Sequence, residues 1–392
     1  MGIIQTPQRG ASRGIGIRTA ADRDERVHGQ LHVYDGDGKG KSQAALGVVL
    51  RTIGLGICEQ KRTRVLLLRF LKGPGRTYDE DAAIEALQQG FPHLIDQVRT
   101  GRGEFFGAEE ATGFDHQEAQ RGWDIAKGAI ASDLYSVVVL DEINPVLDLG
   151  LLSIEEVGRT LANKPAGMEV ICTGRGAPKG LIQLADLHSE MRAHRRQDLI
   201  DPDQDQPVGL DGIEIYTGEG KGKSTSALGK ALQAIGKGIS QDKSHRVLIL
   251  QWLKGGKGYT EDAAIAALRE SYPHLVDHLR SGRDAIVWRG QQQPIDYVEA
   301  ERAWEIARAA ISSGLYKTVI LDEINPTVDL ELLPVEPIVQ TLLRKPSETE
   351  VILTGRCKNR PAYFDLASVH SEMVCHKHYA ERGVDLKRGV DY

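Results

Sequence analysis

Short apolar runs punctuate the chain at 31–34, 65–70, 137–140 and 170–173. They return at 213–216, 247–252, 318–321 and 351–354. Rich in Val, Ile and Leu and bounded by polar residues, they predict buried β-strands. Between them, apolar residues recur at helical spacing over 43–53, 80–89, 116–130, 154–161 and 179–191. Strands alternating with helices predict a parallel sheet covered on both faces.

The pattern is written twice. GDGKGKS at 36–42 recurs as GEGKGKS at 218–224, an offset of 182 residues. RVLLLRFLKG from Arg64 matches RVLILQWLKG from Arg246, and FPHLIDQVRTGR from Phe91 matches YPHLVDHLRSGR from Tyr272. LDEINP, TGR and HSEM also recur. A period this long is a duplicated domain, because each copy is large enough for its own core. The expected division is a mobile arm at 1–26, a first domain at 27–200, a linker at 201–210 and a second domain at 211–392. The join, DPDQDQPVGL, interrupts periodicity with acids, prolines and a glycine.

Every polar signature follows a strand, so in a parallel sheet the signatures converge on the carboxyl edge, where ligands bind. In the loop Gly36, Asp37, Gly38, Lys39, Gly40, Lys41 and Ser42, and its copy Gly218, Glu219, Gly220, Lys221, Gly222, Lys223 and Ser224, glycines turn backbone N–H groups toward a phosphate. Lys41 and Lys223 are placed to reach phosphate oxygens, and Ser42 and Ser224 to ligate Mg²⁺. The loop is one residue tighter than the common GxxxxGK[ST] form. The strand-end acids Asp141 and Asp322, supported by Glu142 and Glu323, are the expected metal-side carboxylates. Arg175 and Arg356 are candidates to neutralise a polyphosphate leaving group. Lys72 and Lys254, after the second strand of each copy, divide evenly between that role and a structural one. Phe106 and Trp288 divide evenly between core and ligand, whereas Trp123 and Trp304 read as core. The repeated His93/His274 and His188/His370 read mainly as histidines satisfying local hydrogen bonds.

Composition narrows the classes. The 392 residues carry 49 Lys and Arg against 55 Asp and Glu, a net charge of −6, which gives no global pull toward nucleic acid or an anionic membrane. No apolar run approaches the ~20 residues of a membrane span. Four cysteines are too few for a disulfide scaffold. None has a cysteine counterpart in the other copy, which argues against a shared thiolate or Cys-ligated metal site. No apolar segment follows the first arginines as a secretory signal requires, and the expected compartment is a reducing cytoplasm.

The strings GxGKGKS, VLILQWLKG, VILDEINP, TGRG, ADLHSEMR and KHYAERGVDLKRGVDY together resemble the P-loop ATP:corrinoid adenosyltransferases, a family acting on cob(I)alamin or cob(I)yrinic acid a,c-diamide. The tightened loop is that family's own form. The resemblance covers nearly all of both copies and implies two tandem P-loop (RecA-like) α/β domains, each a mainly parallel sheet flanked by helices on both faces. It implies ATP as co-substrate, Mg²⁺ or Mn²⁺, a Co(I) corrinoid substrate, and a flavin-type reductase as the source of Co(I). The implied reaction is attack of Co(I) on the 5′ carbon of ATP with loss of triphosphate. The family's dimer implies, for a fused pair, an intramolecular pseudo-dimer or a homodimer. The copies depart differently from the family pattern. The first has Arg69 where the second keeps Gln251, and the second has Cys357 where the first keeps Gly176. The family's aromatic segment is reduced to EFF at 104–106 and IVW at 286–288. These departures raise the expectation that one copy is catalytically impaired. Two other readings stay open: a hydrolytic P-loop ATPase, and a non-catalytic ATP- or corrinoid-binding protein.

Overall fold

The structure is a computed structural model and describes residues 29–59, 63–73, 75–104, 106–196, 210–241, 243–256 and 258–392. The expected arm lies outside these residues. So does the expected linker, except Leu210, which already belongs to a strand.

The first half runs β1 (Leu31–Asp35), α1 (Lys41–Glu59), β2 (Val65–Arg69), α2 (Asp79–Gly90), β3 (Ile95–Arg99), α3 (Gly113–Ala131), β4 (Val137–Asp141), α4 (Ile143–Asp148), α5 (Ile154–Ala162), β5 (Glu169–Thr173), α6 (Lys179–Leu184) and β6 (Leu187–Arg196). The second half runs β7 (Leu210–Thr217), α7 (Lys223–Ser240), β8 (Arg246–Gln251), α8 (Glu261–Ser271), β9 (Val276–Arg280), α9 (Pro294–Ser313), β10 (Tyr316–Asp322), α10 (Ile324–Asp329), α11 (Val335–Leu343), β11 (Glu350–Thr354) and β12 (Ala367–Lys377). The apolar runs did become central parallel strands: β2, β4 and β5 are buried along their whole length.

One twelve-stranded sheet joins the halves, in the order β3-β2-β4-β5-β1-β6-β12-β7-β11-β10-β8-β9. Pairing is parallel within each half, and the seam between β6 and β12 is antiparallel, with Met191 opposite Met373. The order is the same read outward from the seam in either direction, which is the signature of a pseudo-twofold axis. The antiparallel seam points the strands of the two halves in opposite directions, and its register brings both sets of carboxyl ends to the Met191–Met373 pair.

The expected helix at 179–191 is corrected by the structure. It stops at Leu184, and β6 follows. Leu187, Ser189 and Met191 alternate with His188 and Glu190, a period of two that suits a strand and not a helix. Strands β3 and β9 add two edges that were not expected, because IDQVR and VDHLR interleave charge with apolar residues.

Helices α1, α2, α7 and α8 share one apolar core drawn from both halves. The opposite face carries two separate cores, one under α3–α6 and one under α9–α11. At the crossing of α1 and α7, a Cβ on Gly47 would collide with the Thr225 carbonyl, and one on Gly229 with the Gln43 carbonyl. Glycine here lets the two helix backbones touch.

Candidate functional site

The phosphate-loop candidates are built the same way twice. β1 and β7 end, and a glycine loop with Gly36 at φ 95° and Gly218 at φ 98° turns into α1 and α7. Gly38 N–H donates to Met191 O at 2.6 Å, and Gly220 N–H to Met373 O at 2.7 Å, so the seam strands anchor each loop. Each helix opens on the loop lysine, which directs its positive N-terminus at the cradle. Lys41 Nζ donates to Gly36 O (2.8 Å) and Gly38 O (2.6 Å), and Lys223 Nζ to Gly220 O (2.6 Å). The loops also brace one another: Ser226 of the second half donates to Gly40 O of the first at 3.0 Å. Burial pushes the Lys223 ammonium pKa down to about 8.

The acid pair sits at the ends of β4 and β10. Asp141 accepts from Lys72 Nζ and Thr173 Oγ1, each at 2.6 Å, and Asp322 accepts from Lys254 Nζ and Thr354 Oγ1 at the same distances. Burial alone would raise both aspartates. The lysine and hydroxyl donors outweigh it and hold both below the usual carboxylate range. Burial alone would likewise depress Lys72 and Lys254, yet the facing carboxylates raise both ammoniums. Both lysines, evenly weighed from sequence, therefore belong to the cluster. The signal lay in strand register, because β2 pairs with β4 and brings Arg69 beside Asp141.

Glu142 and Glu323 stand in the left-handed region, at φ 63° and 64°, as do Leu71 and Leu253, at φ 55° and 56°. Non-glycine residues there carry strain of about 1–3 kcal/mol, and in both halves they border the same cluster. The Glu142 N–H donates to Thr173 Oγ1 (3.1 Å) and the Glu323 N–H to Thr354 Oγ1 (3.2 Å). Burial, followed by the charge of Asp141, pushes the Glu142 carboxyl pKa up. The Ser42 hydroxyl bonds Asp141, whereas the Ser224 hydroxyl donates to Glu323 at 3.3 Å. Arg175 and Arg356 follow β5 and β11 and are exposed. Arg356 lies 3.3 Å from loop residue Glu219.

The halves differ around this shared set. In the second half Gln251 Nε2 donates to Asp322 (2.9 Å) and Gln251 Oε1 meets His278 Nε2 (2.9 Å). In the first half Arg69 instead binds Glu80 (2.9 Å) and Asp81. The C-terminal segment lies against the second loop: Asp391 pairs with Lys221 at 2.5 Å, and Tyr379 OH accepts from Lys221 at 2.9 Å. It also crosses to the first half, where Arg51 donates to Asp391 O (2.7 Å) and Thr52 to Gly389 O (3.0 Å). Sequence reading missed this docking.

The remaining candidates are not brought to the acid cluster. Phe106 is half-buried under the Arg102 guanidinium, 4.0 Å from its ring centroid. Trp288 is 60% exposed. Trp123 is fully buried with its Nε1–H on Glu156, and Trp304 is buried, both as expected for core. His93 and His274 are exposed. His188 and His370 instead stack on His376 and His194 across the seam.

Among the described residues, no helix is long and apolar enough to cross a membrane, and no cluster of three or more His, Cys, Asp or Glu side chains is arranged to hold a metal ion. The sequence model of the family described as ATP:corrinoid adenosyltransferase BtuR/CobO/CobP matches twice, over residues 27–201 and 210–392. An uncharacterized protein of Nostoc is 73% identical over 97% of this chain and 99% of its own length. The corrinoid adenosyltransferase of Pseudomonas aeruginosa is 35% identical over 44% of this chain and 79% of its own length. That of Escherichia coli K12 is 30% identical over 53% of this chain and the whole of its own.

Proposed function

The chain belongs to the ATP:corrinoid adenosyltransferase family, and from that premise we propose that its two sites transfer the 5′-deoxyadenosyl group of ATP to the cobalt of a Co(I) corrinoid, cob(I)alamin or cob(I)yrinic acid a,c-diamide. The carrying observation is the twofold recurrence of one constellation: a glycine–lysine loop, a left-handed glutamate and a Lys–Asp–Thr cluster on one sheet edge. Cobalt supplies the electron pair that forms the Co–C5′ bond. The C5′–O bond breaks, and its pair leaves on the triphosphate. So strong a nucleophile needs no general base, and the protein's tasks are alignment and charge stabilisation.

In this reading Lys41 and Lys223 leave the loop carbonyls for the triphosphate. Arg175 and Arg356, on the exposed rim, add charge to the leaving group. Mg²⁺ keeps several waters and takes few protein oxygens when phosphates supply others, so a serine hydroxyl and one carboxylate per site fit it. Ser42 with Glu142, and Ser224 with Glu323, would hold it, since the oxygens of Asp141 and Asp322 already accept from lysine and threonine. Bound there, the cation would neutralise charge on the phosphates. The aspartates then act as positioning residues that fix Lys72 and Lys254. A separate reductant, a flavin-type reductase, supplies Co(I).

Product analysis under anaerobic conditions tests the reading. Adenosylated corrinoid and free triphosphate in equal amounts are expected. ADP and phosphate as the products would assign hydrolysis instead, and tight ATP binding without turnover would assign a carrier.

A further inference from the structure

A cavity of about 410 Å³ opens in the second half, lined by His370 and Glu372 of β12 and, at the start of the phosphate loop, by Thr217 and Gly218. The sheet order puts β11 between this cavity and the Asp322–Lys254 cluster on β10 and β8. The cavity therefore lies on the β12 side of the loop, reaches the turn after β11, and is lined by none of the residues of the Asp322–Lys254 cluster.

Its wall combines both halves. Arg195 comes from β6 of the first half, and Lys358 and Arg360 from the turn after β11. Main-chain carbonyls of Asp365 (2.8 Å) and Ala367 (2.9 Å) fix the Arg195 guanidinium without neutralising it. Arg360 is paired with Asp365 at 2.7 Å, while Lys358 has no ion pair among the described residues. The lining acid, Glu372, is engaged by His194 Nε2 at 2.7 Å. His194 stacks on His370, their centroids 4.8 Å apart. His370 is 8% exposed, and its Nε2 has no hydrogen-bond partner among the described residues. A buried polar atom without a partner costs about 1–3 kcal/mol, and a ligand oxygen would remove that cost. Burial, followed by the charges of His194, Arg360 and Arg195, pushes the His370 pKa down to about 4. Near neutral pH its ring is uncharged and can donate one N–H.

We propose that this cavity is an anion subsite that takes a phosphate group, with Arg195, Lys358 and Arg360 supplying charge and His370 Nε2 one directed hydrogen bond. Planar guanidiniums beside an ammonium suit a tetrahedral oxyanion. The first half repeats the charge only in part: Lys377 and Lys179 stand at the positions of Arg195 and Arg360, and Ala177 at that of Lys358. Its seam histidines stack in the same way, His188 on His376 at 4.8 Å with His376 on Glu190 at 2.7 Å. At the position of Arg195, however, Lys377 donates to Ile182 O, Gln183 O and Ala185 O. Its turn reads Gly-Ala-Pro-Lys where the second half has Cys-Lys-Asn-Arg. Both a free polyphosphate and the phosphates of a nucleotide carry the required chemistry.

Calorimetric titration of the full chain with inorganic triphosphate, and separately with ATP, tests the subsite. In the Lys41→Ala/Lys223→Ala variant, triphosphate binding is expected to remain. Adding Lys358→Ala and Arg360→Ala is expected to weaken it at least about tenfold. Both are exposed side chains whose removal leaves the fold intact. His370→Val, checked for an unchanged melting temperature, is expected to weaken it as well. ATP binding to the same subsite would identify a nucleotide as the source, and binding of triphosphate alone would identify free polyphosphate. Loss of all triphosphate binding in Lys41→Ala/Lys223→Ala, or residual binding indifferent to Lys358 and Arg360, would overturn the proposal.

Discussion

Arg51 of α1 in the first half closes on Glu261 of α8 in the second, Nε to Oε2 at 3.2 Å, with both side chains buried. At the symmetric position Gln233 of α7 donates to Glu80 at 3.2 Å, and the guanidinium on Glu80 comes from Arg69 of its own half. The first half thus has an arginine at 69 where its copy has Gln251, and the second half has Gln233 where its copy has Arg51; Glu80 is met by Arg69, and Glu261 by Arg51 and, at 3.7 Å, by Arg280. Removing one partner of a buried pair costs about 3–5 kcal/mol. Arg51→Ala is therefore expected to lower the unfolding free energy by about 3 kcal/mol in urea titration. Burial alone would raise the Glu261 carboxyl, but Arg51, then Lys254, bring it down to about 2. Its contribution to stability is complete above the ordinary glutamate pKa and is lost as pH falls from there through about 2. Arg51→Ala should flatten the acid limb of the stability curve.

Gly47 and Gly229 give a steric test of the interface between halves. A side chain at either meets a helix carbonyl of the other half. Gly47→Leu is expected to cost about 3 kcal/mol or more. Gly128→Ala is the control: Gly128 lies in α3, and nothing stands within 4 Å of an added Cβ. It should stabilise by about 0.5–1 kcal/mol. Thermal unfolding of the two variants distinguishes them.

The Lys223 ammonium, at about 8, makes the second loop sensitive to alkaline pH. It is charged below that value and neutral above it. A polyphosphate favours the charged form, so ATP affinity at this loop should be flat below pH 8 and fall above it, approaching tenfold per pH unit. Calorimetry on Lys41→Ala leaves the second loop as the intact glycine–lysine site. The limb should disappear in Lys41→Ala/Lys223→Ala.

Glu323 and Asp322 are assigned different work, and their amides should behave differently. Glu323→Gln is expected to raise the Mg²⁺ concentration needed for half-maximal activity about tenfold with little loss of stability. Asp322→Asn removes the carboxylate charge that faces the buried Lys254 ammonium at 2.6 Å and should destabilise by about 3 kcal/mol. A Mg²⁺ titration and a urea titration on both variants separate the roles.

The central strands and the places of the glycine–lysine loops and of the acid pair at strand ends were legible because each is local. Val137–Asp141 is apolar along its length, and GDGKGKS sits between a strand and a helix. What was not legible depends on pairing across distance. The histidines of HSEM stack only because β6 and β12 run antiparallel, although their recurrence at 188 and 370, with His194 and His376 following, was a usable hint. Lys72 looked like any turn lysine until the β2–β4 register put it on Asp141. Nothing local in GVDLKRGVDY showed that Asp391 would meet Lys221, since that contact needs the fold of both halves.

The anaerobic adenosylation assay on Lys41→Ala, Lys223→Ala and Lys41→Ala/Lys223→Ala tests most directly whether the two loops hold the nucleotide. At least one single variant should lose most of the cobalt–carbon product, and the double variant should form almost none while remaining folded. A folded double variant that still adenosylates at the full rate would contradict the account.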